Sequence, residues 1–382
     1  MSLYLDYNAS APIDSRVLDK MIYVYKNYIG NADSRTHDHG DRARNVVEDA
    51  RKKVASLLGI TSSEVFFTSG ATESNNIAIQ GLVDYADETG KKHIITTTIE
   101  HKAVLETVKQ MEKRGFKVDI VSPKSDGRID HEEILNKLCE DTLLVSVMHV
   151  NNETGIIQPV LKLGNELTKR DVLFHVDAAQ SCGKLVDEIK SLQYSTLSFS
   201  AHKLRGPQGV GVLVMRKQRY KRPPVKSIMY GGHQENGIRP GTIPVALVAG
   251  CGEACMIAQN EYIQNDRKQK KIKSTFIKLL NESGIKYHIN GDQAHCVSNT
   301  INIYLVGVSS EALMISTKQF CSISNGSACT SRNYSPSYVL TAMGLSTAEA
   351  ECSLRISWGP EIDLDAFVEQ VTNLINVARS LA

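Results

Sequence analysis

Residues 198–209, Ser198-Phe199-Ser200-Ala201-His202-Lys203-Leu204-Arg205-Gly206-Pro207-Gln208-Gly209, carry a lysine to the end of a β-rich run and then turn at Gly-Pro. The turn keeps the chain from drifting, so the amine sits at a fixed point. Alone, such a lysine is ordinarily a solvated cation. Upstream, Phe174-His175-Val176-Asp177-Ala178-Ala179-Gln180 reads as a second apolar strand that ends in a carboxylate. A lysine at one strand end and a buried aspartate at another are the two protein groups that pyridoxal phosphate needs. The amine holds the cofactor covalently, and the carboxylate keeps the pyridine nitrogen protonated so that the ring can store electrons.

Other strand ends offer groups of matching chemistry. Val65–Thr68 runs into Ser69-Gly70-Ala71-Thr72-Glu73-Ser74-Asn75-Asn76, where small residues opening a helix suit a phosphate. The same pattern is also a plain strand-to-helix turn. Ser200 and His202 flank the lysine and could complete that cradle. His101 closes the strand His93–Thr98 and is read either as a surface cap or as a group that stacks on a flat ligand and moves protons. Strand Leu143–Val150 ends in Asn151-Asn152-Glu153-Thr154-Gly155, which brings amide donors to the same edge. Arg355 lies in the apolar run Leu354–Trp358 and needs a carboxylate, from a ligand or from the protein. Cys329 lies in the small, polar loop Ser322–Asn333, where a thiolate could act as nucleophile. The bland alternative is a buried thiol.

These groups must be carried by an alternation of strands and helices. After an extended arm at 1–12 and helices over Ile13–Ile29 and Asp41–Leu58, the pattern gives strands at Val65–Thr68, His93–Thr98, Val118–Val121, Leu143–Val150, Val172–Val176, Leu197–Ser200 and Val210–Met215. Helices are expected between them, including one unbroken helix over Thr72–Ala86. This predicts an α/β fold with a mainly parallel, doubly covered, seven-stranded sheet whose ligands gather at the carboxyl ends of its strands. A long helix from Val245 towards Leu280 bridges to a smaller α+β domain, with strands expected at Thr300–Leu305, Ser322–Ser324 and Leu354–Trp358. The expected division is 13–255 for the large domain, and 1–12 with 256–382 for the small one.

The chain has 382 residues and a net charge of +2, which fits two globular domains and gives no sign of a nucleic-acid-binding surface. No apolar run reaches the roughly 20 residues of a membrane span, and no secretory leader is visible at Met1-Ser2-Leu3-Tyr4. Eight cysteines are scattered without a Cys-x-x-Cys pair, so no metal site is expected and a reducing cytoplasm is. Local basic runs such as 216–222 read as solvated surface.

The ordered set Tyr4-Leu5-Asp6, Ser34-Arg35-Thr36-His37, Gly70-Ala71-Thr72-Glu73-Ser74-Asn75-Asn76, Glu100-His101-Lys102, Asn151-Asn152-Glu153-Thr154-Gly155, Asp177-Ala178-Ala179-Gln180, Ser200-Ala201-His202-Lys203, Arg239-Pro240-Gly241-Thr242 and Gly326-Ser327-Ala328-Cys329-Thr330-Ser331 resembles the pyridoxal-phosphate-dependent cysteine desulfurases of the NifS/IscS type, a class V branch of the fold-type I enzymes. The resemblance runs nearly end to end. It implies that Lys203 holds the cofactor, Asp177 its pyridinium and Gln180 its ring hydroxyl. His101 would stack on the ring and take part in proton transfer. Ala71, Thr72, Ser200 and His202 would bind the phosphate, with Thr242 contributed by the second subunit of a homodimer. Asn152 would contact the cofactor and, with Arg355, hold the carboxylate of L-cysteine, and Cys329 would take its sulfur as a persulfide for an acceptor protein.

Gln208 and Asn325 stand where the family often has Lys and Ser, and neither change removes a chemical role. Residues 31–37 and 334–340 resemble the DndA-type desulfurases of DNA phosphorothioation systems more than the housekeeping iron–sulfur enzymes. Competing readings are another class V activity, such as a selenocysteine lyase or an aminotransferase, and a sulfur carrier that lost its chemistry. An aminotransferase has no use for Cys329.

Overall fold

A computed structural model describes residues 2–218, 220–326 and 336–382. Strand β1 (Leu3–Tyr4) precedes the seven strands of the main sheet: β2 (Val65–Thr68), β3 (His93–Thr97), β4 (Lys117–Val121), β5 (Thr142–Met148), β6 (Leu173–Asp177), β7 (Thr196–Ser200) and β8 (Gly211–Met215). Their order across the sheet is β2-β8-β7-β6-β5-β3-β4. The pairs β3–β4, β3–β5, β5–β6 and β6–β7 are parallel, whereas β8 runs antiparallel to both β2 and β7. The expected mainly parallel sheet is therefore present, and β2 to β7 all deliver their carboxyl ends to one edge.

Alternation along the strands explains the double cover. Phe66, Ile94, Leu144 and Leu213 enter one apolar cluster, and their neighbours Phe67, Ile95, Val145, Val212 and Val214 enter the other. Helices lie on both faces because both faces are apolar.

Two expectations need correction. The helix expected over Thr72–Ala86 is two helices, Ala71–Gln80 and Val83–Thr89. Their junction is pinned from a distance, because Lys226 N–H donates to Gly81 O and a Cβ at Gly81 would lie 2.5 Å from Lys226 O. The strand expected at Ser322–Ser324 is shorter, Cys321–Ser322, and pairs with β1. The short helices Val186–Ser191 and Thr347–Glu351 and the strand Tyr287–Ile289 were not expected.

A second core gathers Leu5, Phe276, Ile301, Ile303, Leu354, Trp358 and Phe367 around the strands Thr300–Leu305 and Ser353–Ser357. The 39-residue helix Val245–Ser283 serves both cores. Val248, Cys251, Ala254 and Ala258 join the sheet's cluster, and Ile272, Phe276 and Leu280 join the second. Among the described residues no helix is long and apolar enough to cross a membrane.

Candidate active site

Lys203 leaves the sheet on a one-turn 3-10 segment, Ala201–Leu204, directly after β7. Arg205 closes that turn in the left-handed conformation, φ 64°, and Gly206 N–H returns to Ala201 O. The turn aims the Lys203 amine at the N-terminal arm, where it donates to Asn8 O at 2.6 Å and Ala9 O at 2.7 Å. Asn8 O also accepts from Gln180 Nε2 at 2.9 Å. One backbone carbonyl thus ties Lys203 and Gln180 together.

Asp177 ends β6, and its carboxylate receives only donors. Asn75 Nδ2 donates to Oδ2 at 2.8 Å and Ala179 N–H to Oδ1 at 2.9 Å. The Asn75 amide is itself set by His175, whose Nε2 lies 3.0 Å from Asn75 Oδ1. Burial holds His175 down at about 4, so the ring is neutral. Its Nε2 then carries the proton and Nδ1 accepts from Thr196 Oγ1 at 2.9 Å. His175 and Asp177 share a face of β6 because side chains alternate along a strand. The relay Thr196, His175, Asn75, Asp177 fixes the orientation of the aspartate and turns a donor onto it.

The short Ser69-Gly70 turn after β2 brings the helix Ala71–Gln80 onto the end of β7. Ala71 N–H donates to Ser200 Oγ at 2.6 Å. The approach needs Gly211, since a Cβ there would lie 2.5 Å from Gly70 Cα. His202 reaches Ser10 Oγ through Nδ1 at 3.1 Å, and Gln208 Nε2 reaches the same hydroxyl at 3.2 Å. Thr72 is exposed on the first turn of that helix. Thr242 is exposed on a loop tied back by the Arg239–Glu73 ion pair at 3.0 Å, and no hydrogen bond among the described residues joins it to the cradle.

His101 caps the helix Lys102–Lys113 by accepting Ala103 N–H on Nδ1 at 3.1 Å. Burial lowers its pKa, opposed by Asp177 and aided by Lys203. A neutral ring capped this way carries its proton on Nε2, which is left for the site. Its neighbour Glu100 is fully buried and accepts from Thr97 Oγ1 at 2.7 Å and Met148 N–H at 2.9 Å. Burial pushes Glu100 up to about 8. The unfolded chain releases this proton in the ordinary carboxylate range, so the contribution to stability is complete at low pH and is lost as pH rises through about 8. A Glu100→Gln protein cannot ionise there. Its melting temperature is expected to gain several degrees on wild type between mildly acid and mildly alkaline pH. A difference that stays constant across that range would show that Glu100 is not held protonated.

Arg355 is buried beside Asn152. It pairs with Asp6 at 2.6 Å and donates to Asn152 O at 3.1 Å. Of the two sequence alternatives the structure shows the ion pair with a protein carboxylate, while among the described residues Arg355 Nε and Asn152 Oδ1 have no hydrogen-bond partner. Cys329 lies outside the described residues. The residues flanking 327–335 converge on one buried carboxylate. A Cβ at Gly326 would lie 2.8 Å from Glu153 Oε2, and Ser337 Oγ donates to that same oxygen. Tyr338 Oη reaches Glu100 O at 2.7 Å.

Asn8, Asn75, His175 and Glu153 were not singled out from sequence. His175, two residues before Asp177 on a strand, carried a signal; Asn8 acts through its backbone and carried none.

This arrangement fits pyridoxal phosphate. A carboxylate accepting from donors suits a pyridinium, a helix start at Gly70, packed against Gly211, suits a phosphate, and an amine lies nearby. Asn152 Oδ1 and Arg355 Nε, without hydrogen-bond partners among the described residues, suit the polar end of an amino acid.

The family model Aminotransferase class-V matches residues 3–366. The chain is 42% identical over 388 residues to "Cysteine desulfurase IscS" of Pasteurella multocida (strain Pm70), covering 100% of this chain and 95% of that protein. Among solved structures, a "NIFS-LIKE PROTEIN" superposes with TM-score 0.91 at 35% identity, covering 100% of both chains. DndA from Streptomyces lividans superposes with TM-score 0.81 at 42% identity, covering 94% of this chain and 99% of that one.

Proposed function

The chain belongs to the class-V aminotransferase family, and we propose that its strand-end site works as follows. The enzyme is a pyridoxal-phosphate-dependent cysteine desulfurase that converts L-cysteine to L-alanine. Bound there, the cofactor supplies an electron sink for the substrate's α-carbon. Lys203 holds it covalently, Asp177 holds its pyridinium, Gln180 its ring hydroxyl, and Ala71, Thr72, Ser200 and His202 its phosphate. His101 covers the ring and offers Nε2 for proton transfer. Arg355 and Asn152 orient the substrate carboxylate, with Arg355 keeping Asp6 as its standing partner.

Cys329 then attacks the substrate sulfur. The carbon–sulfur bond breaks, a sulfur–sulfur bond forms on Cys329, and the carbon takes a proton to become alanine. A persulfide on the protein is a deliverable product, so an acceptor protein completes the reaction. The likeness of residues 31–37 and 334–340 to DndA-type enzymes favours a DNA-phosphorothioation component over an iron–sulfur scaffold. A cytoplasmic location belongs to this reading and is supported by the free thiols at Cys139, Cys182, Cys251, Cys255, Cys296, Cys321 and Cys352.

The observation that carries the reading is the pairing of the Asp177 donor relay with the Lys203 amine at one sheet edge. Yellow protein whose colour is bleached by borohydride, with the reduced adduct mapped to Lys203, is the expected test result. An adduct on another lysine would overturn the assignment.

The homodimer is supported by the exposed loop carrying Thr242 and by an apolar stripe. Leu18, Ile22 and Tyr25 share an outer face of the helix Ser15–Asn27, and Ile29 follows it; all four are exposed. Light scattering is expected to give twice the chain mass, with Thr242→Ala weakening cofactor affinity about tenfold. A fully active monomer at high dilution would contradict this.

A further inference from the structure

A second lysine stands next to the site, and the desulfurase reading assigns it no role. Lys184 follows the turn after β6 and donates through Nζ to Gln180 Oε1 at 3.2 Å. A lysine ammonium can only donate, so this bond fixes which end of the Gln180 amide is oxygen. The other end agrees, because Gln180 Nε2 donates to Asn8 O, a carbonyl that can only accept. An amide nitrogen has two hydrogens, and Asn8 uses one.

Lys184 and Lys203 also line the same cavity of about 770 Å³ between the segments that follow β6 and β7, the long helix and the second core. Burial, followed by the charge of Lys203, brings the Lys184 amine down to about 7. The acids on the cavity walls already have partners. Asp14 pairs with Arg205 at 3.2 Å, Glu188 faces His149 at 3.2 Å, Asp187 accepts from Tyr262 at 2.8 Å, and Asp266 pairs with Lys270 at 2.7 Å. Lys273 on the long helix is turned to Val297 O and Cys296 Sγ, each at 3.2 Å. The thiol of Cys182 on Lys184's own turn is held protonated by burial. On the site side, the neutral His101 and His202 face Lys203, and Asp177 faces His101.

We propose that Lys184 is a positioning residue for the cofactor, whose hydrogen bond leaves only the N–H end of Gln180 free to meet the ring hydroxyl and whose charge opposes a proton on the neighbouring Lys203 nitrogen. This rests on the cofactor roles given to Lys203 and Gln180. Both effects have the same sign. A donor on the ring oxygen favours the deprotonated form of the lysine–cofactor link, and a nearby cation disfavours its protonated form. Removing Lys184 therefore raises the pH at which the visible band changes form.

The test is a spectrophotometric pH titration of the holoenzyme without substrate, together with reconstitution of the apoprotein with pyridoxal phosphate. Lys184→Met is expected to raise the midpoint of the visible band by about one pH unit and to weaken cofactor binding several-fold. Lys184→Arg, which keeps donor and charge, is expected to restore the midpoint. If the Met protein does not fold, Lys184→Gln carries the same prediction in a smaller upward shift. A wild-type midpoint in the Met or Gln protein would overturn the proposal, as would an Arg shift equal to that of Met. Borohydride mapping in each variant keeps the premise separate, since loss of the Lys203 adduct in wild type would instead overturn the cofactor reading.

Discussion

A Lys203→Ala protein is expected to purify without the borohydride-sensitive yellow band and to form alanine from cysteine at least about a thousandfold more slowly than wild type. Backbone groups place the amine. The end of β7, the left-handed Arg205 and two carbonyls of the N-terminal arm fix it. Lys184, the neighbouring lysine, is held by its hydrogen bond to Gln180 and is not expected to substitute. Cofactor added in solution should still bind weakly, since the Asp177 relay and the Ala71–Ser200 cradle do not depend on Lys203. Retention of full colour and turnover would remove Lys203 from the chemistry.

Cys329→Ser is expected to separate the two halves of the reaction. The protein should bind cofactor covalently and change its spectrum on adding L-cysteine, while alanine formation falls at least about a thousandfold. Serine has nearly the shape of cysteine but loses its proton far less readily, so it cannot accept the sulfur. Cys321, nearest in sequence, offers no rescue. It is 1% exposed and burial alone pushes its thiol up to about 12. Cys321→Ser should leave the rate within about twofold. A Cys329→Ser protein with wild-type alanine output would favour an activity without a nucleophilic thiol.

The strand ends were legible because each strand announces itself locally. Buried β2, β3, β5, β6, β7 and β8 read as apolar runs, and a polar residue at a run's end has one edge to occupy. Lys203, Asp177, His101 and Asn152 follow from that rule. The donor relay behind Asp177 was less legible, because Asn75 lies in a different segment and only the fold brings it to His175. Asn8 could not be read at all, since a backbone carbonyl looks the same under any side chain. The break at Gly81 has the same origin: the local pattern supports one helix, and Val225 and Lys226, distant in sequence, interrupt it. Arg355 illustrates a different limit. Its need for a carboxylate was plain, but sequence could not show that Asp6 supplies one while Nε has no partner among the described residues. Glu153 read as part of an amide-rich loop, whereas its carboxylate receives both flanks of residues 327–335.

The most direct test of the central claim is to locate the sulfur. Wild-type holoenzyme is given one equivalent of L-cysteine with no acceptor, alkylated at once, digested and mapped by mass spectrometry. The expected result is one extra sulfur atom on the peptide containing Cys329 and an equal yield of alanine. Extra sulfur on Cys321 or any other cysteine, or alanine formed with no sulfur retained on the protein, would contradict it.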